Sequence, residues 1–345
     1  TFRRRPRIDP ADPVKIFQIF IVSNCHSVLI KAKNDENHTK QAGDMTFRFL
    51  GKTFKNPLVL ASGVLGNSRD ILERVHLSGC GLVTMKSIGP EPRDGHKNPT
   101  VIDLGCGLIN AVGLPSPGYL NMEDEWQDLE SRSFPLIASV YGGSVREYQM
   151  VAEYVASKEP DFIELNISCP NSEKHGMIFG VNPQSTHDVI SAVRKVVNIP
   201  LIAKLTPQAP DIAGIARACE DAGADAICAI NTLGPGMVID IESQQPVLAF
   251  KKGGLSGPMI KPVAIRCVYD IFQAVQLPII GLGGVTTGED AIEMIMAGAS
   301  MVGIGSAVRY RGMSVFETVN TEMTAWLSAR DLTLDAIKGA AHRSR

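Results

Sequence analysis

Eight short apolar runs, separated by segments with helical patterns, are the feature that most constrains the fold of this chain. The runs are rich in Val, Ile, Leu and Ala, and unbroken runs of this kind are typical of strands covered on both faces. They lie within 56–63, 81–87, 135–142, 162–168, 200–206, 224–231, 278–284 and 301–306. Between them, apolar residues of 144–157, 211–222 and 289–297 recur at helical spacing, which predicts helices there.

Strands that alternate with helices in this way predict an α/β protein, specifically a (β/α)8 TIM barrel. The segments 87–135 and 231–258 are long and rich in loops. Because insertions after barrel strands commonly cover the active site, we expect extended loops at the carboxyl-terminal face. A doubly wound open sheet is the alternative. It would need a Gly-x-Gly-x-x-Gly turn after the first strand, and Ala61–Gly66 is a poor match to one.

The first 44 residues differ in character from the rest of the chain. They open with the basic run Thr1–Arg7, contain an apolar patch over 16–30 with polar interruptions, and continue into the polar stretch Lys31–Lys40. The patch is shorter and more polar than the about 20 residues of a membrane span. We therefore predict a poorly ordered N-terminal extension over 1–44, or a mistranslated upstream region, and a barrel domain over 45–345.

Charge and cysteine usage exclude several functional classes. The net charge is −2 and aromatic residues make up 6% of the chain, so neither a basic field nor stacking platforms are present for nucleic acid or an anionic membrane. The seven cysteines are odd in number and form no CxxC pair, which argues against zinc, iron–sulfur and secreted disulfide frameworks. We expect no metal site and a cytoplasmic location.

The segment after the fourth run places a thiol between two carboxamides, in Asn166-Ile-Ser-Cys169-Pro-Asn171. Loops that leave the carboxyl ends of parallel strands are where ligands bind. As a thiolate, Cys169 could abstract a carbon-bound proton, and the asparagines could bind a ligand with both donors and acceptors. A structural cysteine in a tight turn is the alternative. His175, in the same loop, is interpreted as a loop residue rather than the base.

Glycines and lysines end several other runs. Gly281–Gly284 and Gly303–Ser306 would let backbone amides approach a phosphate, with the following helices adding their positive ends. Glycines needed only for tight turns are the alternative. Lys86 and Lys204 end the second and fifth runs, where a lysine in a barrel mouth is costly without a negative partner, so we predict that both contact a ligand.

From Met45 to about residue 330, the chain resembles the class 1 dihydroorotate dehydrogenases, the flavin enzymes of pyrimidine synthesis. Cys169 distinguishes it from class 2, whose members use serine as the base. The motifs that carry the resemblance are Asn56-Pro57 with Ala61–Gly63, Lys86-Ser87, Asn98-Pro99, Asn110–Leu114, Glu164–Asn171, Lys204-Leu205, Asn231-Thr232, Gly253–Pro258, Lys261-Pro262, Gly283-Gly284 and Gly305-Ser306.

The resemblance implies FMN as cofactor and dihydroorotate as substrate. Cys169 would take the proton from C5 while C6 gives hydride to the flavin, and Lys204 would stabilise negative charge on the reduced flavin. The implied FMN contacts are Ser62, Lys86, Ser87, Asn166, Lys204, Ile230, Gly257, Gly283, Gly284, Gly305 and Ser306. The implied substrate contacts are Lys86, Asn110, Ala111, Val112, Gly113, Leu114, Asn166, Asn171, Asn231 and Thr232.

Within class 1 the chain is most similar to the subtype 1B catalytic subunits. These pair with a subunit that carries FAD and an iron–sulfur cluster and pass electrons to NAD, so the resemblance implies such a partner and a homodimer or heterotetramer. Ser139 stands where 1B enzymes usually have asparagine, which leaves the electron acceptor open. The alternatives are a dihydropyrimidine dehydrogenase subunit acting on uracil or thymine, a flavin-free barrel for a sugar phosphate, and a non-catalytic scaffold.

Overall fold

A computed structural model describes residues 43–168 and 179–343 of the chain. All but the last two positions of the predicted extension therefore lie outside the described residues. The same holds for Cys169, Asn171 and His175, so the structure does not test the roles predicted for them.

Within the described residues, eight parallel strands close into a barrel in which neighbours follow chain order. The last strand pairs with the first, with Val302 opposite Leu58. This confirms the predicted (β/α)8 fold, and each of the eight apolar runs contains one strand of the barrel. The strands are β1 (Leu58–Leu60), β2 (Leu82–Thr84), β3 (Leu136–Val140), β4 (Phe162–Asn166), β5 (Leu201–Leu205), β6 (Ala226–Ala229), β7 (Ile279–Leu282) and β8 (Met301–Ile304).

Helices follow the strands and cover the outside of the barrel. They are α1 (Arg69–Leu77), α2 (Glu123–Glu130), α3 (Val145–Ala156), α4 (Pro183–Arg194), α5 (Ile212–Asp221), α6 (Lys261–Ala274), α7 (Gly288–Met296), α8 (Ala307–Arg311), α9 (Val315–Ser328) and α10 (Leu334–Ile337). The three helices predicted from spacing correspond to α3, α5 and α7. Each begins after a side-chain cap: Ser144 accepts from Glu147 N, Asp211 from Gly214 N and Thr287 from Asp290 N.

The strands are buried on both faces, as their unbroken apolar sequences predict. All five residues of β4 are buried, and so are all five of β3 and of β5. Two of the residues buried in this way are charged, Glu164 on β4 and Lys204 on β5. Since an isolated buried charge is costly, their position inside the barrel needs a specific partner.

The two long segments after β2 and β6, which the sequence predicted as extended loops, contribute two strands each to one antiparallel sheet. Its strand order is Leu233–Gly236, Gly253–Ser256, Leu108–Asn110 and Val101–Asp103. Asn110 lies opposite Gly254 of the other insertion. Both segments leave carboxyl ends of barrel strands, so the sheet belongs to the end where barrels bind ligands. Two short hairpins complete the strands: Phe47–Phe49 with Lys52–Phe54, and Ile239–Asp240 with Gln245–Pro246.

Candidate active site

Asn166, the last residue of β4, is the centre of a polar cluster at the carboxyl ends of neighbouring strands. Its amide nitrogen donates to Ser87 Oγ at 3.2 Å, and its amide oxygen accepts from Ser168 Oγ at 2.8 Å. Asn231, which follows β6, donates to Ser168 Oγ at 2.5 Å. Ser62, which follows β1, has its Oγ 3.2 Å from Ser87 Oγ. The structure thus brings together four residues predicted from the sequence, with Ser168 as an unpredicted fifth.

Lys204 is only 4% exposed, and its Nζ lies 3.6 Å from Oε1 of Glu164, which is 2% exposed. The same Oε1 accepts a hydrogen bond from Ser139 Oγ at 2.8 Å, and Ser139 Oγ lies 2.8 Å from Ser87 Oγ. The ion pair is therefore joined to the polar cluster. The sequence predicted that Lys204 needs a negative partner and assigned that part to a ligand, whereas the barrel itself supplies Glu164.

Glu164 carried a signal that the sequence interpretation passed over. In a strand, alternate residues share a face, so Glu164 lies on the same face of β4 as Asn166. A carboxylate in that position of an otherwise apolar run points to a buried partner on an adjacent strand. In the register between β4 and β5, Asn166 lies opposite Lys204 and Glu164 lies opposite Ile202. Lys204 is therefore on the same face as Glu164, one pair further along, and it is the buried partner.

Cys228 lies on β6 opposite Lys204 on β5. Burial is the main cause that raises the pKa of its thiol well above the ordinary value; the Glu164 carboxylate adds to the rise and the Lys204 cation opposes it. The thiol is therefore neutral at physiological pH. A neutral, buried thiol packs as an apolar group and does not act as a nucleophile.

Lys86 lies at the wall of a surface depression of about 460 Å³. Its ammonium donates to the carbonyl oxygen of Pro115, and its backbone N–H donates to Asn67 Oδ1 at 2.7 Å. The depression is lined by Asn67, Lys86, Arg93, Asp94, Pro115, Ser116 and Pro117. Lys86 is thus tied to the segment just beyond Asn110–Leu114, the predicted substrate loop.

The predicted substrate loop, Asn110–Leu114, is braced by two residues that the sequence did not single out. Arg93 Nε donates to the carbonyl oxygen of Gly113 at 2.8 Å. The backbone N–H of His96 donates to the carbonyl oxygen of Val112 at 3.0 Å, and its ring stacks on Phe250 with centroids 3.9 Å apart. Because Phe250 belongs to the other insertion, His96 links the two segments.

The same loop depends on a glycine. Gly113 has a φ of +81°, and a Cβ there would lie 2.7 Å from the His96 ring. Ala111 is buried, whereas Val112 is exposed and Leu114 has a φ of +53°. The backbone conformation of the loop therefore requires glycine at 113, because a side chain there would clash with the His96 ring and would disfavour the positive φ.

The four-stranded sheet that the two insertions form is called the roof sheet here. Predicted site residues from both insertions contact it. Asn110 Nδ2 donates to the carbonyl oxygen of Gly254 at 3.3 Å. A Cβ on Gly254 would lie 2.2 Å from Oγ1 of Thr232, so the sheet packs closely on that side chain. The Thr232 N–H donates to Asn231 Oδ1 at 2.7 Å. Ile230 is buried directly after β6, where its N–H bonds to the Leu282 carbonyl oxygen.

The glycines predicted to hold a phosphate fall into two kinds. Gly283 and Gly284 have φ values of +137° and +77°, and Cβ atoms there would lie 2.7 Å from Ala264 and 2.6 Å from Lys261. Backbone conformation and packing against α6 therefore already require glycine at both. At Gly305, by contrast, the nearest atom to a Cβ would be Ala61 Cβ at 3.4 Å, an ordinary contact. Gly257, with a φ of +92°, approaches Gly107 closely.

The structure shows which groups lie at the starts of the two helices that were predicted to offer their positive ends to a phosphate. Asp290 Oδ2 accepts from the backbone N–H groups of Thr286 and Thr287 at 2.9 Å each, so the start of α7 already holds an anion. After Ser306, α8 spans only Ala307–Arg311, too short for an appreciable dipole. A phosphate at this place would rely on the backbone amides of the loops.

In the parts of the chain that the structure covers, no group of three or more His, Cys, Asp and Glu side chains could hold a metal ion. Over the same residues, no helix is both long enough and apolar enough to cross a membrane.

A family model described as dihydroorotate dehydrogenase matches residues 45–327. The chain belongs to the dihydroorotate dehydrogenase family. This confirms the resemblance found in the sequence motifs, and members of this family are FMN-dependent oxidoreductases.

Three relatives of this chain bear the same name, dihydroorotate dehydrogenase B (NAD(+)), catalytic subunit. The Methanosarcina mazei protein is 46% identical over 301 residues, which are 86% of this chain and 95% of that protein. The Methanocaldococcus jannaschii protein is 47% identical over 296 residues, 85% and 96% of the two chains. The Pyrococcus furiosus protein is 48% identical over 269 residues, 78% and 89%. Similarity to the B-type catalytic subunits agrees with the subtype predicted from the motifs.

The described residues of this chain fit FMN. Ser87, Asn166 and Lys204 supply hydroxyl, amide and ammonium groups at the ends of adjacent strands, the donor and acceptor set that the polar edge of a flavin ring requires. At Gly305 a Cβ would meet only ordinary contacts, so packing within the described residues does not by itself require glycine there. Cation, hydroxyl and amide therefore coincide at one end of the barrel.

Proposed function

We propose that this chain oxidises dihydroorotate to orotate in pyrimidine (UMP) biosynthesis and that FMN is its redox cofactor. The observation that carries the proposal is the 46% identity to a dihydroorotate dehydrogenase B catalytic subunit over 95% of that protein's length. In the reaction, one carbon–hydrogen bond is broken at C5 and one at C6. The proton leaves to a base, and the hydride leaves to the cofactor.

Bound FMN would supply the two-electron acceptor for that hydride. Lys204, Asn166, Ser87 and Ser62 would hold the polar part of the ring, because they form one connected cluster. Lys86, Ile230 and Gly257 complete the proposed contacts. For the phosphate we propose the backbone amides at Gly283, Gly284, Gly305 and Ser306, since Asp290 occupies the start of α7.

The substrate would lie between the polar cluster and the roof sheet. Asn110 of the first insertion donates to the Gly254 carbonyl oxygen, and Thr232 of the second insertion packs closely on Gly254, which supports a cradle formed by both segments. Lys86 would bind the substrate carboxylate, because it is a cation at the wall of the depression beside this loop. Asn166, Asn171, Asn231 and the backbone of 111–114 would complete the set of donors and acceptors.

Cys169 is proposed as the base that removes the C5 proton. It would accept the proton on Sγ as a thiolate and release it to solvent after the product leaves. Its support is the sequence motif, together with the described residues just before it: Asn166 and Ser168 both belong to the polar cluster.

Electrons would leave the chain through a partner. The name of these relatives contains both NAD(+) and "catalytic subunit". We propose an electron-transfer subunit with FAD and an iron–sulfur cluster in a heterotetramer, with a homodimer as the alternative. A cytoplasmic location is proposed because the cysteines that the structure describes are free thiols.

The test is anaerobic addition of dihydroorotate to the purified chain, followed by its visible flavin absorption. We expect a yellow protein whose flavin band bleaches with one equivalent of dihydroorotate and does not bleach with dihydrouracil. A colourless protein would favour a flavin-free barrel. Bleaching by dihydrouracil alone would favour a dihydropyrimidine dehydrogenase.

A further inference from the structure

The guanidinium of Arg311, the last residue of α8, bridges elements that follow two different barrel strands. Its Nη1 donates to the carbonyl oxygen of Thr286, in the loop after β7, and its Nη2 donates to Glu322 Oε1 on α9 at 3.0 Å. The other carboxylate oxygen of Glu322 accepts from the backbone N–H of Gly288, the first residue of α7, at 2.6 Å. One side-chain pair therefore joins the loop after β7 and the start of α7 to α8 and α9.

The loop after β7 is held on both sides of Thr286. The backbone N–H of Thr286 donates to Asp290 Oδ2 at 2.9 Å, and its carbonyl oxygen accepts from Arg311. Gly284, a residue of the proposed phosphate site, precedes Thr286 by two positions. Because so few bonds separate the two residues, the contact with Arg311 limits where the backbone amide of Gly284 can lie.

The loop after β8 is connected to Arg311 through the short helix α8. The carbonyl oxygens of Gly305 and Ser306 accept from the backbone N–H groups of Val308 and Arg309 at 3.0 Å each, so the helix continues directly from the loop. Arg311 ends the same helix. The position of its guanidinium thus relates the two proposed phosphate loops to each other.

The exposure of the pair argues against a role mainly in stability. The side chains of Arg311 and Glu322 are 31% and 37% exposed, and ion pairs at this exposure contribute little to folding because water screens them. Their geometry, by contrast, is specific, since the planar guanidinium donates to a carboxylate and to a carbonyl oxygen at the same time. The pair is therefore suited to fixing the relative position of the elements it joins.

We propose that Arg311 is a positioning residue that holds the loops after β7 and β8 in a fixed relative position, so that their backbone amides bind a phosphate monoester together. The inference rests on the proposed function, in which FMN places its phosphate at these loops. Arg311 acts through Thr286 and Glu322, and its loss would let the two loops move independently. Donors that must be ordered on binding hold an anion less tightly than donors already in place, because the ordering costs free energy.

The test compares FMN with riboflavin, which has the same ring and ribityl chain but no phosphate, by fluorescence titration of the apoprotein. In Arg311→Gln we expect the affinity for FMN to fall at least about tenfold and that for riboflavin to fall less than about threefold. The thermal unfolding midpoint without flavin should fall by less than about 3 °C. Equal losses for the two flavins, or an unchanged affinity for FMN, would overturn the proposal.

Two further variants separate position from charge. Arg309→Gln removes a cation from an exposed position on the same helix and should leave both affinities unchanged. Glu322→Ala removes the carboxylate and makes the region more positive, so a purely electrostatic role for Arg311 predicts tighter FMN binding, whereas a positioning role predicts weaker binding. Tighter or unchanged binding in Glu322→Ala, or a loss in Arg309→Gln equal to that in Arg311→Gln, would overturn the positioning role.

A second measurement does not depend on flavin. Backbone amide hydrogen exchange of the apoprotein should become faster over both 283–290 and 305–311 in Arg311→Gln, because the two loops lose their common contact, and it should stay unchanged in α3. Faster exchange confined to 305–311 would overturn the link between the loops. A chain that binds neither flavin but shows faster exchange in both segments would support the link and contradict only the proposed function.

Discussion

The ammonium of Lys261, at the start of α6, lies 2.6 Å from Oδ1 of Asp290, in the first turn of α7. The other carboxylate oxygen accepts from Thr286 and Thr287, so one side chain joins two helices and the loop that follows β7. This junction holds Gly284 against Lys261 and so fixes the backbone at which we place the cofactor phosphate.

Asp290→Asn should destabilise the chain at neutral pH. Burial raises the pKa of Asp290, but the hydrogen bonds from Lys261, Thr286 and Thr287 outweigh it and lower the pKa from 3.8 to about 2. The stabilisation is present above the unfolded-state value and is lost as pH falls towards 2. We expect a loss of about 1–2 kcal/mol in the free energy of unfolding at pH 7, shrinking on acidification, by denaturant titration.

Glu293→Gln is the matched control for Asp290→Asn. Glu293 also pairs with Lys261, at 2.7 Å, but its side chain is 50% exposed compared with 14% for Asp290. Since exposed ion pairs contribute little, its loss should cost less than about 0.5 kcal/mol. Equal losses in the two variants at pH 7 would contradict the junction described here.

Gly305→Ala should separate folding from cofactor binding. A Cβ at 305 meets only ordinary contacts, so unfolding should change by less than about 1 kcal/mol, whereas FMN affinity should fall at least about tenfold if the phosphate packs against this backbone. Gly284→Ala, with a positive φ and a Cβ 2.6 Å from Lys261, should instead lower stability itself. Fluorescence titration of the apoprotein with FMN measures the affinity, and unchanged affinity in Gly305→Ala would move the phosphate elsewhere.

His96→Ala should raise the KM for dihydroorotate by about 5–20-fold with a smaller change in kcat. The ring stacks on Phe250 and its backbone segment braces the substrate loop, so its loss removes interactions of about 1–2 kcal/mol from the loop's bound position. Steady-state kinetics with dihydroorotate check this. His187→Ala, on the exposed face of α4, is the control and should leave KM unchanged. A normal KM in His96→Ala would show that the contacts of His96 with Phe250 and the loop do not affect substrate binding.

Cys169→Ala should slow dihydroorotate oxidation by about 10²–10⁴-fold while FMN stays bound, because the proposed base is removed and the cofactor contacts are not. Single-turnover flavin reduction in a stopped-flow instrument measures the step directly. Cys106→Ala, an exposed free cysteine in the first insertion, should behave like the unmodified chain. Near-normal reduction in Cys169→Ala would remove the thiol from the mechanism.

The barrel could be predicted from sequence because its signal is local. Unbroken runs such as Phe162–Leu165 identify buried strands without reference to their neighbours. The roof sheet could not, because Asn110 and Gly254 pair across a long sequence separation that no periodicity reports. Asn166, Ser87 and Lys204 were predicted from motifs and lie together. Glu164 carried a sequence signal, but strand register was needed to find its partner, and the loop contacts of Arg93 and His96 follow no sequence pattern. Cys169 and Asn171 stay predictions.

One consequence follows from the shared strand pairing of the two insertions. Because the strand Leu108–Asn110 is hydrogen-bonded to the strand Gly253–Ser256, the two segments should move together. Entry of a ligand into the barrel would then depend on movement of the whole roof sheet. That sheet is connected to the barrel after β2 and after β6, and these two connections would act as its hinges. Loosening a hinge far along the chain from a bound molecule would still alter how quickly that molecule escapes.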